Sequence, residues 1–122
     1  MNINDFYSSP LDKDFTRFST MWEMLLDEWE RLATEVPDAK HAYEMAYAEA
    51  IKKAEGTVKE KEAEATIKTG PTYLTLLKTE ARLEFIKAKL RWVDKEMSIL
   101  QTRAANARAE WQHAGMPEPT RR

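Results

Sequence analysis

The sequence predicts an all-α protein built as an antiparallel helical hairpin, and three observations support this fold class. The 122 residues include only three glycines and five prolines, and they contain no cysteine, which excludes a disulfide-stapled scaffold. Apolar residues recur at alternating spacings of three and four residues over two long stretches, the period that keeps side chains on one face of an α-helix. Glycine and proline cluster between these stretches, so the chain is expected to turn there.

The first long helix is predicted over residues 18–55. Its apolar stripe continues past Pro37, where the ring and the missing N–H of proline are expected to kink the helix or to divide it into two nearly collinear helices. Residues 1–17 show no sustained period and are predicted to form a loose N-terminal arm. The stripe contains Phe18, Trp22, Leu25, Trp29, Leu32, Val36, Ala39, Tyr43, Ala46, Ala50 and Ala54.

A short, charged helix is predicted between the two long ones. Gly56 suits the left-handed residue that ends the first long helix. Thr57 and Glu60 have the spacing of a capping box, so the short helix is expected to begin there and to run to about Lys68. Gly70 and the proline after it mark its end. This helix has only Val58, Ala63, Ala65 and Ile67 to bury, so it is expected at the tip or edge of the fold.

The second long helix is predicted over residues 72–111 and would extend about 60 Å at about 1.5 Å per residue. The kinked 18–55 rod has nearly the same length, so the two are expected to pair in one helical domain, residues 18–113. A flexible tail is predicted at 114–122. The main stripe of this helix contains Leu76, Thr79, Leu83, Ile86, Leu90, Val93, Met97, Leu100, Ala104, Ala107 and Trp111.

The long C-terminal helix also carries a second apolar face. Phe85, Trp92 and Ile99 recur at seven-residue intervals on the side away from the main stripe, together with Leu74, Ala81 and Ala88. A helix that is apolar on two faces must be covered on both. Either the segment 57–69 or a folded-back arm covers the second face, or copies of the chain associate through it. We favour association between copies of the chain, which predicts a homo-oligomer with Phe85, Trp92 and Ile99 in its interface.

Charge is distributed unevenly along the chain, although its formal net charge is only −2. Residues 1–36 contain eight acidic and three basic residues, whereas residues 72–111 contain five acidic and eight basic residues. In an oligomer, the basic surfaces of several copies would combine into one region of positive electrostatic potential that can bind along a phosphate backbone. Taken singly, the same bases would be solvated helix residues paired with nearby glutamates.

Little in the sequence favours catalysis or metal binding. It contains no nucleophile motif, no phosphate-binding loop and no dinucleotide fingerprint. Glu110 and His113 have the Glu-x-x-His spacing of di-iron bundles, but the only companion pair, His41 and Glu44, runs in the reverse order. We therefore expect no enzymatic activity, no cofactor and no metal site. The sequence has neither a membrane-length apolar run nor a leader pattern, so we expect a cytoplasmic protein with no membrane partner.

Two segments carry a resemblance to a known group of proteins. Residues 56–63 read Gly-Thr-Val-Lys-Glu-Lys-Glu-Ala, and residues 97–101 read Met-Ser-Ile-Leu-Gln within a basic helix. In these features the chain resembles small helical proteins encoded among bacteriophage recombination and replication genes and, more loosely, the UvsY-type recombination mediators. The resemblance covers roughly residues 22–110 and implies a ring-forming helical oligomer that helps a recombinase displace single-strand-binding protein from single-stranded DNA. A phage-encoded protein of this kind acts in the bacterial host cytoplasm.

The resemblance implies a function in DNA recombination or replication. The preferred hypothesis is an accessory protein that oligomerises and binds single-stranded DNA with a recombinase or a single-strand-binding protein. The acidic first third of the chain favours an alternative, a protein-only interaction module that docks its apolar helix face into a groove of its target, as a phage inhibitor of a host protein or an assembly factor would. The nucleic-acid-facing bases that the resemblance implies are Lys87, Lys89, Arg91, Arg103 and Arg108.

Overall fold

The computed structural model describes residues 10–113 and residue 115. Within this part of the chain the secondary structure consists of three helices, α1 (Pro10–Lys53), α2 (Val58–Lys68) and α3 (Gly70–His113). The long helices α1 and α3 pack antiparallel as a hairpin, and the short α2 lies between them in the sequence, so the predicted all-α hairpin is confirmed. None of the three helices is long and apolar enough to cross a membrane.

Helix α1 begins at Pro10, before the predicted start at residue 18, so residues 10–17 are helical rather than a loose arm. Proline suits a first helical turn because its φ is already helical and its missing N–H has no acceptor there. Leu11 and Phe15 extend the apolar stripe and pack against the core around Phe18, which explains the longer helix. The remainder of the predicted arm, residues 1–9, lies outside the described residues, as does the predicted tail apart from Gly115.

Helix α1 continues through Pro37 as a single helix. Proline removes the N–H that would donate to the carbonyl oxygen of Ala33, which weakens the helix at this turn. The apolar stripe nevertheless keeps its register on both sides of the proline, since Leu32 and Ala50 are both buried. Burial of this stripe stabilises the helix across the missing hydrogen bond.

The junction between α1 and α2 has the predicted capping residues. Gly56 has a φ of 113°, which only glycine adopts without strain. Thr57 is the N-cap of α2, and its hydroxyl accepts a hydrogen bond of 3.3 Å from the backbone N–H of Glu60. The prediction that α2 runs to Lys68 is confirmed.

Helix α2 buries little of itself. Of its four apolar residues only Ala65 is buried, whereas Val58 and Ile67 are largely exposed. The buried side of α2 is formed by Ala65 and the Thr69 that follows the helix. The Thr69 hydroxyl and backbone N–H both donate to the carbonyl oxygen of Ala65, over 2.6 and 2.9 Å, so this polar group is satisfied where it is buried.

The packing of α1 and α3 divides into two compact units. Among the described residues, unit 1 joins residues 10–25 with residues 89–113. Its core consists of the buried residues Phe18, Val93 and Leu100, against which partly buried apolar side chains pack: Leu11, Phe15, Met21, Trp22, Leu25 and Met97. Trp111 belongs to the predicted main stripe but is 40% exposed, because it lies near the end of α3 beyond this core.

Unit 2 comprises residues 26–88, which include α2. Its polar and aromatic contacts also join α1 to α3: Arg82 pairs with Glu28 over 3.4 Å, and the rings of Tyr43 and Tyr73 lie 5.1 Å apart. The buried apolar residues of this unit are Leu32, Ala50, Ala54, Ala65, Leu76 and Ile86. All but Ala65 belong to the two main stripes predicted from the sequence, so the predicted pairing faces are confirmed for these residues, whereas Trp29 of the same stripe is 37% exposed.

Candidate interaction surface

The chain leaves the predicted oligomer-interface residues exposed. Phe85 lies in unit 2, and Trp92 and Ile99 lie in unit 1. Their exposed fractions are 52%, 44% and 37%, respectively. Neither α2 nor the helical part of the predicted arm buries these three side chains. That a second copy of the chain covers them stays a prediction.

Unit 2 presents a continuous row of exposed apolar residues on α3, which we call the outer stripe. At about 100° per residue its members lie within about 80° of the helix circumference. The buried residues Leu76 and Ile86 lie on the opposite side of the same helix. Leu77, which is 42% exposed, was not predicted as part of this face. The members of the outer stripe are Leu74, Leu77, Ala81, Phe85 and Ala88, all of them exposed.

Charged residues flank the outer stripe, and two of them are held by partners within the chain. Arg82 pairs with Glu28 and lies 5.9 Å from the centroid of the Phe85 ring. On the other side of the stripe, Glu84 accepts a hydrogen bond of 3.2 Å from Lys87. Hydrogen bonds from Arg31 and then from Arg82 hold the pKa of the Glu28 carboxyl below its ordinary value. This ion-pair network therefore stabilises the fold above the ordinary carboxyl pKa and loses that effect as pH falls through the lowered pKa.

Unit 1 exposes an aromatic ring with a cation beside it. The ring of Trp92 packs edge-on against buried Phe18, with 5.5 Å between the ring centroids. The ammonium group of Lys89 lies 5.4 Å from the centroid of the Trp92 ring, within the range of a cation–π interaction. Trp92 thus has one edge anchored in the core and 44% of its surface open to solvent.

The five predicted nucleic-acid-binding bases do not lie on one face of α3. Lys87 belongs to unit 2 and pairs with Glu84. Within unit 1, Arg103 follows Lys89 by fourteen residues and shares its side of the helix, whereas Arg91 is two residues from Lys89 and lies on a different side. Arg108 lines a cleft of about 290 Å³ together with Asp12. Of the five predicted bases, Lys89 and Arg103 are therefore the two that share a side of α3 within the described part of unit 1.

The residues considered for catalysis and metal binding are dispersed in the described part of the chain. His41 and His113 are both exposed, and they belong to different units. No group of three His, Asp or Glu side chains that could hold a metal ion occurs among residues 10–113. Within the same range, every buried side-chain nitrogen or oxygen has a hydrogen-bond partner.

No protein-family model, no curated protein and no solved structure matches this chain. The likeness to phage recombination accessories, carried by residues 56–63 and 97–101, stays a prediction from the sequence. Function is therefore inferred from the exposed faces of α3.

Proposed function

We propose that this chain is a non-enzymatic interaction module that binds a protein partner through the outer stripe of unit 2. The observation that supports this function is the exposure of large apolar side chains on one side of a formed helix. Leu74, Leu77 and Phe85 are 50%, 42% and 52% exposed while the opposite side of α3 is buried. Burying apolar surface in a partner is favourable by about 25 cal/mol per Å².

The fold also lowers the conformational cost of such binding. Helix α3 is already formed in unit 2 and is held by its packing on α1, through Leu76 and Ile86 among others. The partner therefore meets a preformed row of side chains, and little backbone entropy is lost on association. Recognition of this kind places an amphipathic helix in an apolar groove or beside another helix.

Replacing Leu77 and Phe85 together with glutamate is expected to weaken binding of the protein partner by about a hundredfold. Full burial of each side chain is worth about 1.5–3 kcal/mol, and about 1.4 kcal/mol is a factor of ten in affinity. The measurement compares the proteins that the immobilised parent and variant chains retain from a bacterial lysate, including untagged copies of the chain itself.

The matched control replaces Val58 and Ile67 of α2 with glutamate, since these side chains are even more exposed and the change in charge is the same. We expect this control to retain what the parent retains and all three proteins to have the same helical content by circular dichroism. Equal retention by the parent and the Leu77/Phe85 variant would contradict the proposed function.

A second candidate function is the recombination accessory that binds single-stranded DNA with a recombinase or a single-strand-binding protein. The pair formed by Lys89 and the exposed ring of Trp92 favours it, with Arg103 on the same side of the helix. Proteins bind single strands without sequence preference by stacking bases on aromatic rings and by placing cations along the backbone.

Replacing Lys89 and Arg103 together with alanine is expected to lower the affinity for a labelled oligo-dT in fluorescence anisotropy. The plot of log affinity against log salt should also lose about 1.4 of its slope, at about 0.7 per phosphate contact with a single strand. The control replaces Lys40 and Lys52 of α1 with alanine and should keep the parental slope. A parent chain that does not bind oligo-dT at about 20 mM salt would eliminate this candidate.

A further inference from the structure

We propose that the partner of the outer stripe is a second copy of this chain, bound so that the two α3 helices run parallel across unit 2. This inference rests on the proposed function, because it names the partner of the same face. The charges beside the stripe provide the evidence for both the partner and the orientation.

The outer stripe separates a basic flank from an acidic flank. At about 100° per residue, Lys78 and Arg82 lie about 60° and about 100° to one side of Ala81. Glu84 and Glu80 lie at about the same angles on the other side, with Lys87, which donates to Glu84, about 20° beyond Glu80. The intrachain pairs leave these groups accessible, since the side chains of Arg82 and Glu84 are 55% and 67% exposed.

The symmetry of a dimer then selects the orientation. Two identical helices that meet through the same stripe are related by a twofold axis. If they run parallel, this axis brings the basic flank of one copy against the acidic flank of the other on both sides of the interface. If they run antiparallel, the axis brings the basic flank of one copy against the basic flank of the other. Lysine and arginine side chains then face like charges across the interface. Charges beside an apolar seam determine helix orientation in this way in coiled coils.

The apolar residues of the stripe suit the same arrangement. In a parallel pair each residue meets its own counterpart at the same height, so the small residues Ala81 and Ala88 lie opposite alanine while Phe85 lies opposite Phe85. A second copy thus covers the apolar residues of this face and is complementary to its flanking charges.

The test uses single cysteines, because the chain contains none of its own. We would prepare Leu74→Cys and Ala88→Cys, which lie fourteen residues, about 21 Å, apart on the outer stripe. A disulfide requires Cα atoms within about 7 Å, so it reports which residues meet across the interface. The control is Ala42→Cys, the same substitution at an exposed position of α1.

In the parallel dimer, each stripe variant is expected to form a disulfide with its own copy on mild oxidation. A mixture of the two should give the joined pairs 74–74 and 88–88 by peptide mass mapping, and the Ala42→Cys control should stay uncrosslinked. Joined 74–88 pairs in the mixture would show an antiparallel dimer and overturn the inference.

Light scattering separates this inference from the proposed function. A monomeric parent at all concentrations would overturn self-association, whereas loss of another retained protein in the Leu77/Phe85 variant would still support an interaction module. Replacing Glu80 and Glu84 together with lysine makes both flanks basic and should weaken self-association by about tenfold at low salt and less at high salt. An unchanged dissociation constant for this variant at low salt would contradict the role of the flanking charges.

Discussion

Replacing Val93 with aspartate is expected to destabilise unit 1 by several kcal/mol. Val93 is fully buried in the core with Phe18 and Leu100. An aspartate there would place a carboxylate in an apolar site, which is strongly unfavourable unless the carboxylate is paired or protonated. Because the whole stability of a small domain is only about 5–15 kcal/mol, much of this protein is expected to be unfolded at room temperature.

The matched control is Val58→Asp, which makes the same substitution at a residue that is 72% exposed. Val58 lies in the first turn of α2, where a negative charge interacts favourably with the helix dipole, so the free energy of unfolding should change by less than about 1 kcal/mol. Urea unfolding followed by circular dichroism measures both variants. A Val93→Asp midpoint equal to that of the control would show that Val93 is not in the core.

Replacing Gly56 with alanine is expected to lower the free energy of unfolding by about 1–3 kcal/mol, the usual effect of forcing a side chain into a sparsely populated backbone conformation. The φ of 113° is unfavourable for any residue with a Cβ. An added Cβ would also meet the carboxylate of Glu60, which lies against Gly56 and would have to move aside. Thermal unfolding by circular dichroism should give a lower midpoint than that of the parent.

Gly70→Ala is the control for this prediction. Gly70 is the first residue of α3, it does not have a positive φ, and a Cβ built there has no atom within 4 Å. Alanine restricts the unfolded chain more than glycine does, so this variant should equal the parent or exceed its stability by up to about 1 kcal/mol. A Gly56→Ala variant that is as stable as Gly70→Ala would contradict the conformational argument.

The helices could be predicted from the sequence because their signals are local. The apolar period of the main stripes and the pair Thr57 and Glu60 each act within a few residues, and the bounds of α2 follow from them. The predicted helix began at Phe18, whereas α1 begins at Pro10. The spacing of Leu11, Phe15 and Phe18 continues the same period, and Pro10 suits a first helical turn, so both signals were available.

The exposure of particular residues was less predictable than the helices themselves. Ile67 and Val58 have the same apolar character as buried residues, yet they are exposed because α2 contributes only its Ala65 side to packing. In the candidate site, Phe85 could be selected by its seven-residue repeat with Trp92 and Ile99. Leu77 does not belong to that seven-residue repeat. It is identified as part of the outer stripe only when all five residues of the stripe are placed around the helix.

Local sequence signals are sufficient to predict three helices, their ends near Gly56 and Gly70, and two apolar faces on α3. These properties depend on backbone preferences and on side-chain spacing within each helix. The burial of Leu76 and Ile86 in unit 2 and the exposure of Phe85 instead depend on tertiary packing. Both faces have the helical period, and which one is covered depends on side chains of α1 that are distant in the sequence.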